Sequence, residues 1–223
     1  MEIGLITLAI ILATLLGWLL KQSFNTQPWV SEPVSDTAHH GPLGDSGNTR
    51  LVALTALLAV VTSFFALILS AYSLRMDLGD WVPLTEPQLL WMNTLVLIAA
   101  SGAFQWTRNA AVADERRRLL PGLIITGVLT LGFVFGQFVA WQQLQDSGQF
   151  ITSNPANAFF YFLTAAHAIH ILGGLVVWAR ATLKVVLGKA DAASTRRSVE
   201  LCTIYWHFLL LVWLVLFGLL LST

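Results

Sequence analysis

Charged residues and cysteine are both scarce in this chain of 223 residues. Charged residues make up 11% of the sequence, against about 25% in an average soluble domain, so the composition argues against a water-soluble fold. The single cysteine, Cys202, excludes an internal disulfide and a metal cluster built from several cysteines. No basic patch is present that would indicate a nucleic-acid partner.

Hydrophobic residues make up 56% of the chain and are concentrated in six apolar segments, at 3–20, 51–74, 88–107, 119–142, 157–180 and 200–221. A helix that crosses a bilayer takes about 20 such residues, and backbone groups cannot stay unpaired in lipid. The first segment lacks the charged start and the small-residue cleavage site of a signal peptide, so we expect it to be retained. The predicted fold is an all-α integral membrane protein with six transmembrane helices.

Arginine and lysine are gathered in alternate loops. The loops 108–118 and 180–199 are rich in both, and Lys21 and Arg50 flank a third basic loop. Basic loops stay in the cytoplasm, so loops 21–50, 108–118 and 180–199 are predicted to be cytoplasmic. Both termini are then expected on the opposite side of a bacterial inner membrane, as an even number of spans requires.

Residues 23–49 form the one long polar loop, with three prolines, and we expect little regular structure there. His39 and His40 lie in it, but two histidines alone do not complete a metal site. The predicted organisation is an extra N-terminal transmembrane helix over 1–22, a cytoplasmic linker over 23–50 and a five-helix domain over 51–223.

The fifth segment carries two histidines near its middle. His167 and His170 are three residues apart, so they share one face of a helix, and Gly173 and Gly174 follow about one turn later. Glycines at such positions let a second helix come close. A histidine in hydrocarbon needs a partner, a bound group or a water-filled niche.

Three functions can be weighed from these residues alone. A haem b membrane anchor needs two axial histidines from different helices, which His207 with His167 or His170 could supply. A transporter tends to show inverted repeats and broken helices, and neither is evident in this sequence. A packing subunit needs only small residues and interhelical hydrogen bonds, and it is the reading that requires no complete site.

Longer motifs point to a known family. FFYFLTAAHAIHILGG, at Phe159–Gly174, resembles the penultimate helix of subunit III of haem–copper terminal oxidases, whose pattern is close to FYxLTGxHxxHxxxG. VELCTIYWHFLLLVWLVLF, at Val199–Phe217, resembles the last helix of that family. Weaker similarity covers Met92–Ala110 and Gly136–Tyr161, so that the resemblance extends over roughly 51–222.

The resemblance implies a non-catalytic subunit of a cytochrome c oxidase-type complex. Such a subunit packs on the catalytic subunit I, near subunit II and small accessory subunits, binds phospholipid, and supports assembly, proton uptake and sustained O2 reduction. Haem and copper are then expected in the partner subunits, with no catalytic, cofactor or metal residue in this chain. The alternative is a related subunit of another respiratory complex, such as a nitric oxide reductase.

Position by position, the resemblance carries the polar set of the family onto His167, His170, Glu200, Tyr205, Trp206 and His207. These side chains are expected to bond between helices or to lipid headgroups, with His207 paired to His167 or His170. The alternative is that they only lock the last two helices together. Arg75 and Arg180, at the ends of spans, are expected to pair with lipid phosphates.

Two departures from the family pattern stand out. Val61, in the stretch VVTSFF, lies where the family often has a membrane glutamate, so any role tied to that acid should be absent. The long family form also has seven helices that begin with a two-helix hairpin, whereas only five helices match here. The segment 3–20 could replace the hairpin, contact another subunit or mimic an accessory subunit.

Overall fold

The computed structural model describes residues 46–83, 87–188 and 191–222. Within these ranges the chain forms five α-helices: α1 Ser46–Met76, α2 Leu89–Val112, α3 Arg116–Asp146, α4 Pro155–Val186 and α5 Ala192–Leu221. All five are long and apolar enough to cross a membrane, which confirms the five predicted spans from 51 onward. The predicted helix over 1–22, including the span 3–20, lies outside the described residues.

The helices are longer than the apolar segments that predicted them. α1 begins at Ser46, inside the predicted linker 23–50, and the predicted loops 108–118 and 180–199 shrink to short turns between neighbouring helices. Hydropathy marks only the part of a helix that lies in hydrocarbon, whereas a helix continues through polar residues until a cap or a left-handed residue ends it. The basic residues therefore lie mostly on helix ends rather than in loops.

The ends of α4 and α5 show what stops and starts these helices. The Asn154 side chain accepts a hydrogen bond from the Asn157 amide at 3.0 Å, and Pro155 occupies the first turn of α4. Gly188, with φ of 63°, follows the last turn of α4 in the left-handed region that favours glycine. The Asp191 carboxylate then caps α5 by accepting from the Ser194 amide at 3.2 Å.

The chain divides into two compact units, one reaching Ser73 and the other beginning at Leu74. In the first unit α1 buries one row of side chains, which includes Leu58, Val61 and Phe65. The spacing of three and four residues in this row is that of one helix face. Val61, at the position of the family's acid, is 2% exposed.

The second unit is an antiparallel arrangement of four helices. α2 packs along α3 and α5, and α4 packs along the same two helices. Its largest fully buried side chains include Phe104, Phe133, Phe160, Trp206 and Trp213, which fill the space between the helices. Large apolar side chains also cover the outside of the unit, as expected for surfaces that contact lipid or other membrane subunits.

Candidate functional site

Tryptophan and threonine side chains pair between the helices of the four-helix unit. Trp206 on α5 donates from Nε1 to Thr130 Oγ1 on α3 at 3.1 Å, and Trp213 donates to Thr94 Oγ1 on α2 at 2.9 Å. Each threonine hydroxyl donates its own proton to a carbonyl one turn earlier in its helix, at 2.8 Å. The hydroxyl oxygen is thereby left free to accept the indole proton.

The contact between α3 and α4 uses two further tryptophans. Trp141 on α3 donates to Thr164 Oγ1 on α4 at 3.0 Å, and Trp178 on α4 donates to the Leu123 carbonyl on α3 at 3.1 Å. Gly127 makes room for the Trp178 ring, since a Cβ there would lie 2.2 Å from a ring carbon. Indole donors therefore join α3 to α4 as well as α5 to its neighbours.

Tyr205 ties α5 to α4 at the position of the histidine pair. Its hydroxyl donates to the His170 carbonyl at 3.0 Å. Gly174 lies beneath Tyr205 and Trp206, whose ring atoms would be 2.8 and 2.9 Å from an added Cβ, whereas Gly173 has open space. Within the described part of the chain, Gly174 receives a helix as expected, and Gly173 faces no other helix.

His167 lies in the interior of the four-helix unit and is 0% exposed. Its ring centroid is 5.2 Å from that of Trp213 and 5.9 Å from that of Phe133. His170, three residues further along α4, is half-buried, and its Nδ1 lies 2.7 Å from the Ala166 carbonyl. The two histidines thus belong to different environments although they share a helix.

His207 bonds to α2, so its predicted pairing with His167 or His170 is wrong. Its Nδ1 forms a hydrogen bond with Ser101 Oγ, and its Nε2 lies 3.2 Å from Gln105 Oε1. Successive helix residues are about 100° apart, so the position after Trp206 points away from the interior and towards α2. His207 is exposed, in contrast to the buried Tyr205 and Trp206 that precede it.

The neighbours of His207 can supply one hydrogen-bond donor and one acceptor for its two ring nitrogens. Gln105 donates from Nε2 to Asn109 Oδ1 at 3.2 Å, which leaves Gln105 Oε1 to accept from His207 Nε2–H. His207 Nδ1 is then the acceptor for the Ser101 hydroxyl. Both ring nitrogens of a neutral imidazole are satisfied by this arrangement.

Of the charged members of the predicted set, Arg75 lies in the last turn of α1, whereas Glu200 and Arg180 lie inside α5 and α4. Glu200 accepts from Arg196 on its own helix at 3.2 Å, so its partner is not on another helix. Arg75 holds Asp80 through two hydrogen bonds of 2.5 and 2.6 Å, and these bonds lower the pKa of Asp80 below its usual value. Arg180 is exposed and takes part in no ion pair within the described residues.

The positions of the histidines bear on the haem alternative. A haem b site needs ring nitrogens from facing helices, and both nitrogens of His207 bond to α2 instead. His167 and His170 belong to one helix. Within the part of the chain that the structure describes, no three histidine, cysteine or acidic side chains come together as metal ligands.

The threonine acceptors were not found from the sequence. Thr94, Thr130 and Thr164 carry no charge and lie in apolar segments, so hydropathy reads them as ordinary lipid-compatible residues. Trp206 and Trp213 are seven residues apart on one face of α5, a spacing that indicates packing but does not identify the acceptors. A search for threonine on the facing helix at matching depth would have been the available signal.

Comparison with known proteins supplies the family. The family model of Cytochrome c oxidase subunit III matches residues 29–221, which is most of the chain. The chain belongs to this family. A probable cytochrome c oxidase subunit 3 of Mycobacterium tuberculosis is 32% identical over 142 residues, which cover 62% of this chain and 70% of that protein.

Two further relatives extend the range of organisms. A probable cytochrome c oxidase subunit 3 of Nocardia farcinica is 30% identical over 145 residues, which cover 63% of this chain and 70% of that protein. The cytochrome c oxidase subunit 3 of Yarrowia lipolytica is 24% identical over 173 residues, which cover 75% of this chain and 63% of that protein. The chain is therefore a multi-pass membrane protein and a non-catalytic oxidase subunit of the respiratory chain.

Proposed function

We propose that this chain packs directly against the catalytic subunit I of a cytochrome c oxidase, close to subunit II and small accessory subunits. In that position it binds phospholipid and supports assembly, proton uptake and sustained O2 reduction. The haem and copper that carry the reaction belong to the partner subunits. Membership of the subunit III family supports this role, because oxidase subunits of that name act within such complexes.

One observation carries the proposed contact with subunit I. His207 and its partner Gln105 form a polar cluster near the middle of the α5 span, and His207 points outward. Polar groups that face hydrocarbon are expensive, and those found in spans usually face protein or water. The outward face at His207 is therefore a better fit for another subunit than for lipid.

The residues that continue this face along α5 support the same partner. We call the outward row His207, Leu211, Leu214 and Gly218 the His207 stripe; all four are exposed. Their spacing of four, three and four residues is the one that lets a second helix pack along a seam. Gly218 has open space around it, as a site for close helix approach requires.

The proposal extends to the membrane and to the N-terminal segment. Arg180, exposed at the end of the α4 span, supplies a guanidinium for a lipid phosphate, while Arg75 already holds Asp80. Residues 3–20 add a sixth crossing, and the cytoplasmic linker predicted over 23–50 ends where α1 begins at Ser46. Loops 108–118 and 180–199 then lie in the cytoplasm of a bacterial cell, and both termini lie outside.

Co-purification tests the proposed function, and substitutions of two glycines test the proposed contact with subunit I. A tagged chain expressed in its host should bring down a large partner that carries two haems and copper. Gly218→Phe, on the His207 stripe, should sharply reduce recovery of that partner. Gly173→Phe is the matched control, because Gly173 is equally open but lies on α4.

The outcomes separate the function from the contact surface. Recovery of the tagged chain with no haem-containing partner would contradict the function. Loss of the partner in Gly173→Phe, with full recovery in Gly218→Phe, would move the contact surface from α5 to α4 and leave the function standing.

A further inference from the structure

Two amide side chains are buried at one level of the four-helix unit, Asn93 on α2 and Gln137 on α3. They are 3% and 1% exposed. Gly136 packs against Asn93, whose Cγ and Nδ2 would lie 2.9 and 3.1 Å from a Cβ added to that glycine. The missing side chain of Gly136 therefore makes the space that the Asn93 amide occupies, and it places Gln137, the next residue of α3, at the same level.

These two amides have polar atoms that no protein group satisfies. Asn93 Nδ2 and both Gln137 Nε2 and Gln137 Oε1 have no hydrogen-bond partner within residues 46–83, 87–188 and 191–222. A buried polar group without a partner costs on the order of 1–3 kcal/mol. Buried polar groups in native proteins are for this reason nearly always bonded, either to protein or to an ordered water.

The other side chains at this level have contacts of their own. Thr94 donates to a carbonyl of its own helix at 2.8 Å and accepts the Trp213 indole proton at 2.9 Å. Phe133, one helical turn before Gln137, packs edge-on against the His167 and Trp213 rings, with centroid distances of 5.9 and 5.0 Å. Aromatic rings thus fill the interior beside the two amides, and a partner for them has to be small.

We propose that Asn93 and Gln137 bind a small cluster of buried water between α2 and α3. One water accepts a proton from Asn93 Nδ2 and donates to Gln137 Oε1, and a second accepts from Gln137 Nε2. Water fits this set of two donors and one acceptor because it both donates and accepts. An ion does not fit, since both amides are neutral and a buried charge needs a paired charge or strong ligands.

The position of the amides gives water a short way in. Asn93 lies four residues after α2 begins at Leu89, which is about 6 Å along the helix axis. The cluster is therefore close to the helix ends opposite the basic turns. It joins α2 to α3 by uncharged hydrogen bonds, in addition to the direct bonds that tryptophan and threonine form elsewhere in the unit.

A density map tests the site directly. Electron cryomicroscopy of the chain, in the assembly in which it is purified and at a resolution that shows ordered water, should reveal density within about 3.2 Å of Asn93 Nδ2 and of Gln137 Oε1. A direct hydrogen bond between the two amides would overturn the proposal. So would a side chain of residues 1–45 or of a partner subunit bonded to them, or a map of that resolution with no density there.

The sign of one substitution provides a second test. Gln137→Met keeps the size of the side chain and removes its amide, which leaves the water and Asn93 short of a partner. The unfolding equilibrium constant of the full chain in mixed micelles should rise about tenfold, equivalent to about 1.4 kcal/mol. An amide without any partner predicts the opposite, because its replacement by an apolar group of similar shape is neutral or stabilising.

Gln142→Met is the matched control for this substitution. It makes the same chemical change on the same helix, but Gln142 is exposed, so stability should change little. A double-mutant cycle of Asn93→Ala with Gln137→Met should show a coupling of about tenfold in the unfolding constant, because both variants lose the same water. Independent effects of the two substitutions, or equal effects of Gln137→Met and Gln142→Met, would contradict a shared water cluster.

Discussion

At the scale of single residues, the interior polar groups act as joints between helices. The indole of Trp206 and the hydroxyl of Thr130 connect α5 to α3 without a charge, so neither group must be ionised in the membrane. The Thr130 hydroxyl donates its proton to a carbonyl of its own helix, and its oxygen accepts the indole proton of Trp206 on α5. An uncharged joint of this kind holds two helices in register at little cost in solvation.

Thr130→Val should destabilise the chain by about 0.6–2 kcal/mol, because it removes the acceptor of the Trp206 indole proton. The free energy of unfolding in mixed micelles gives the size of the effect, and the indole N–H band in ultraviolet Raman spectra shows whether the bond is lost. Thr126→Val is the matched control, since Thr126 is equally buried but bonds only within its own helix. Equal losses in the two variants would mean that the indole bond contributes nothing.

His207→Leu should weaken the contact of α5 with α2, not with α4. In a double-mutant cycle with Ser101→Ala we expect a coupling of about 0.5–2 kcal/mol, because the two side chains share a hydrogen bond. Unfolding of the purified chain in detergent measures each corner of the cycle. A second cycle, His207→Leu with Tyr205→Phe, should show little coupling, since Tyr205 bonds to the His170 carbonyl. Stronger coupling in the second cycle would contradict the assignment of His207 to α2.

At the scale of elements, glycines determine where helices can approach. Gly174 receives the rings of Tyr205 and Trp206, while its neighbour Gly173 has open space. The same difference separates Gly127, which receives Trp178, from Gly132, where the nearest atom is 3.9 Å from an added Cβ. A glycine in an apolar helix is therefore informative only once its facing residue is known.

Gly174→Ala should destabilise the chain by about 1–3 kcal/mol, because the new methyl group overpacks the contact with α5. Gly173→Ala should be neutral or stabilising by about 0.5–1 kcal/mol, since alanine favours the helix and nothing blocks it. Thermal unfolding of both variants in one detergent gives the comparison. Destabilisation by the Gly173 change of the same size as by the Gly174 change would refute the packing described for α4 and α5.

The turn after α1 should respond to acid through Asp80. Hydrogen bonds from Arg75 lower its pKa, so the stabilisation is complete above the unfolded value of about 3.9 and is lost as the pH falls through the lower folded value. A nitroxide on Gly79→Cys, where no side chain crowds the label, should become mobile only below about pH 4. With Asp80→Asn added, the label should be mobile at every pH; a pH-dependent change in that variant would point to another group.

The sequence predicted which segments form helices better than it predicted which side chains pair between those helices. The apolar segments from residue 51 onward correctly located the five described spans. The sequence could not identify α2 as the partner of His207, because one helix face can meet either of two neighbouring helices in a bundle. The choice depends on how the rings of Tyr205 and Trp206 fit against Gly174, which is a property of the assembled unit.

At the scale of the whole molecule, family membership and the four-helix unit agree. Residues 29–221 match the family, and this range contains all five described helices. Yet the family match alone does not say which surface meets the catalytic subunit. The outward-facing His207 is a feature of this chain's own packing, and it is the feature on which the proposed protein contact rests.

Deletion of residues 1–22 should leave the five described spans inserted in the same orientation. The arginines next to α3 and α5, including Arg116 and Arg196, remain in the shortened chain, and basic residues near spans decide which side stays in the cytoplasm. Losing one crossing then moves only the new N-terminus to the cytoplasm. A C-terminal alkaline phosphatase fusion should stay active and a C-terminal green fluorescent protein fusion dark, with and without the deletion. A fluorescent C-terminal fusion of the shortened chain would show instead that the N-terminal segment, and not the basic helix ends, orients the protein.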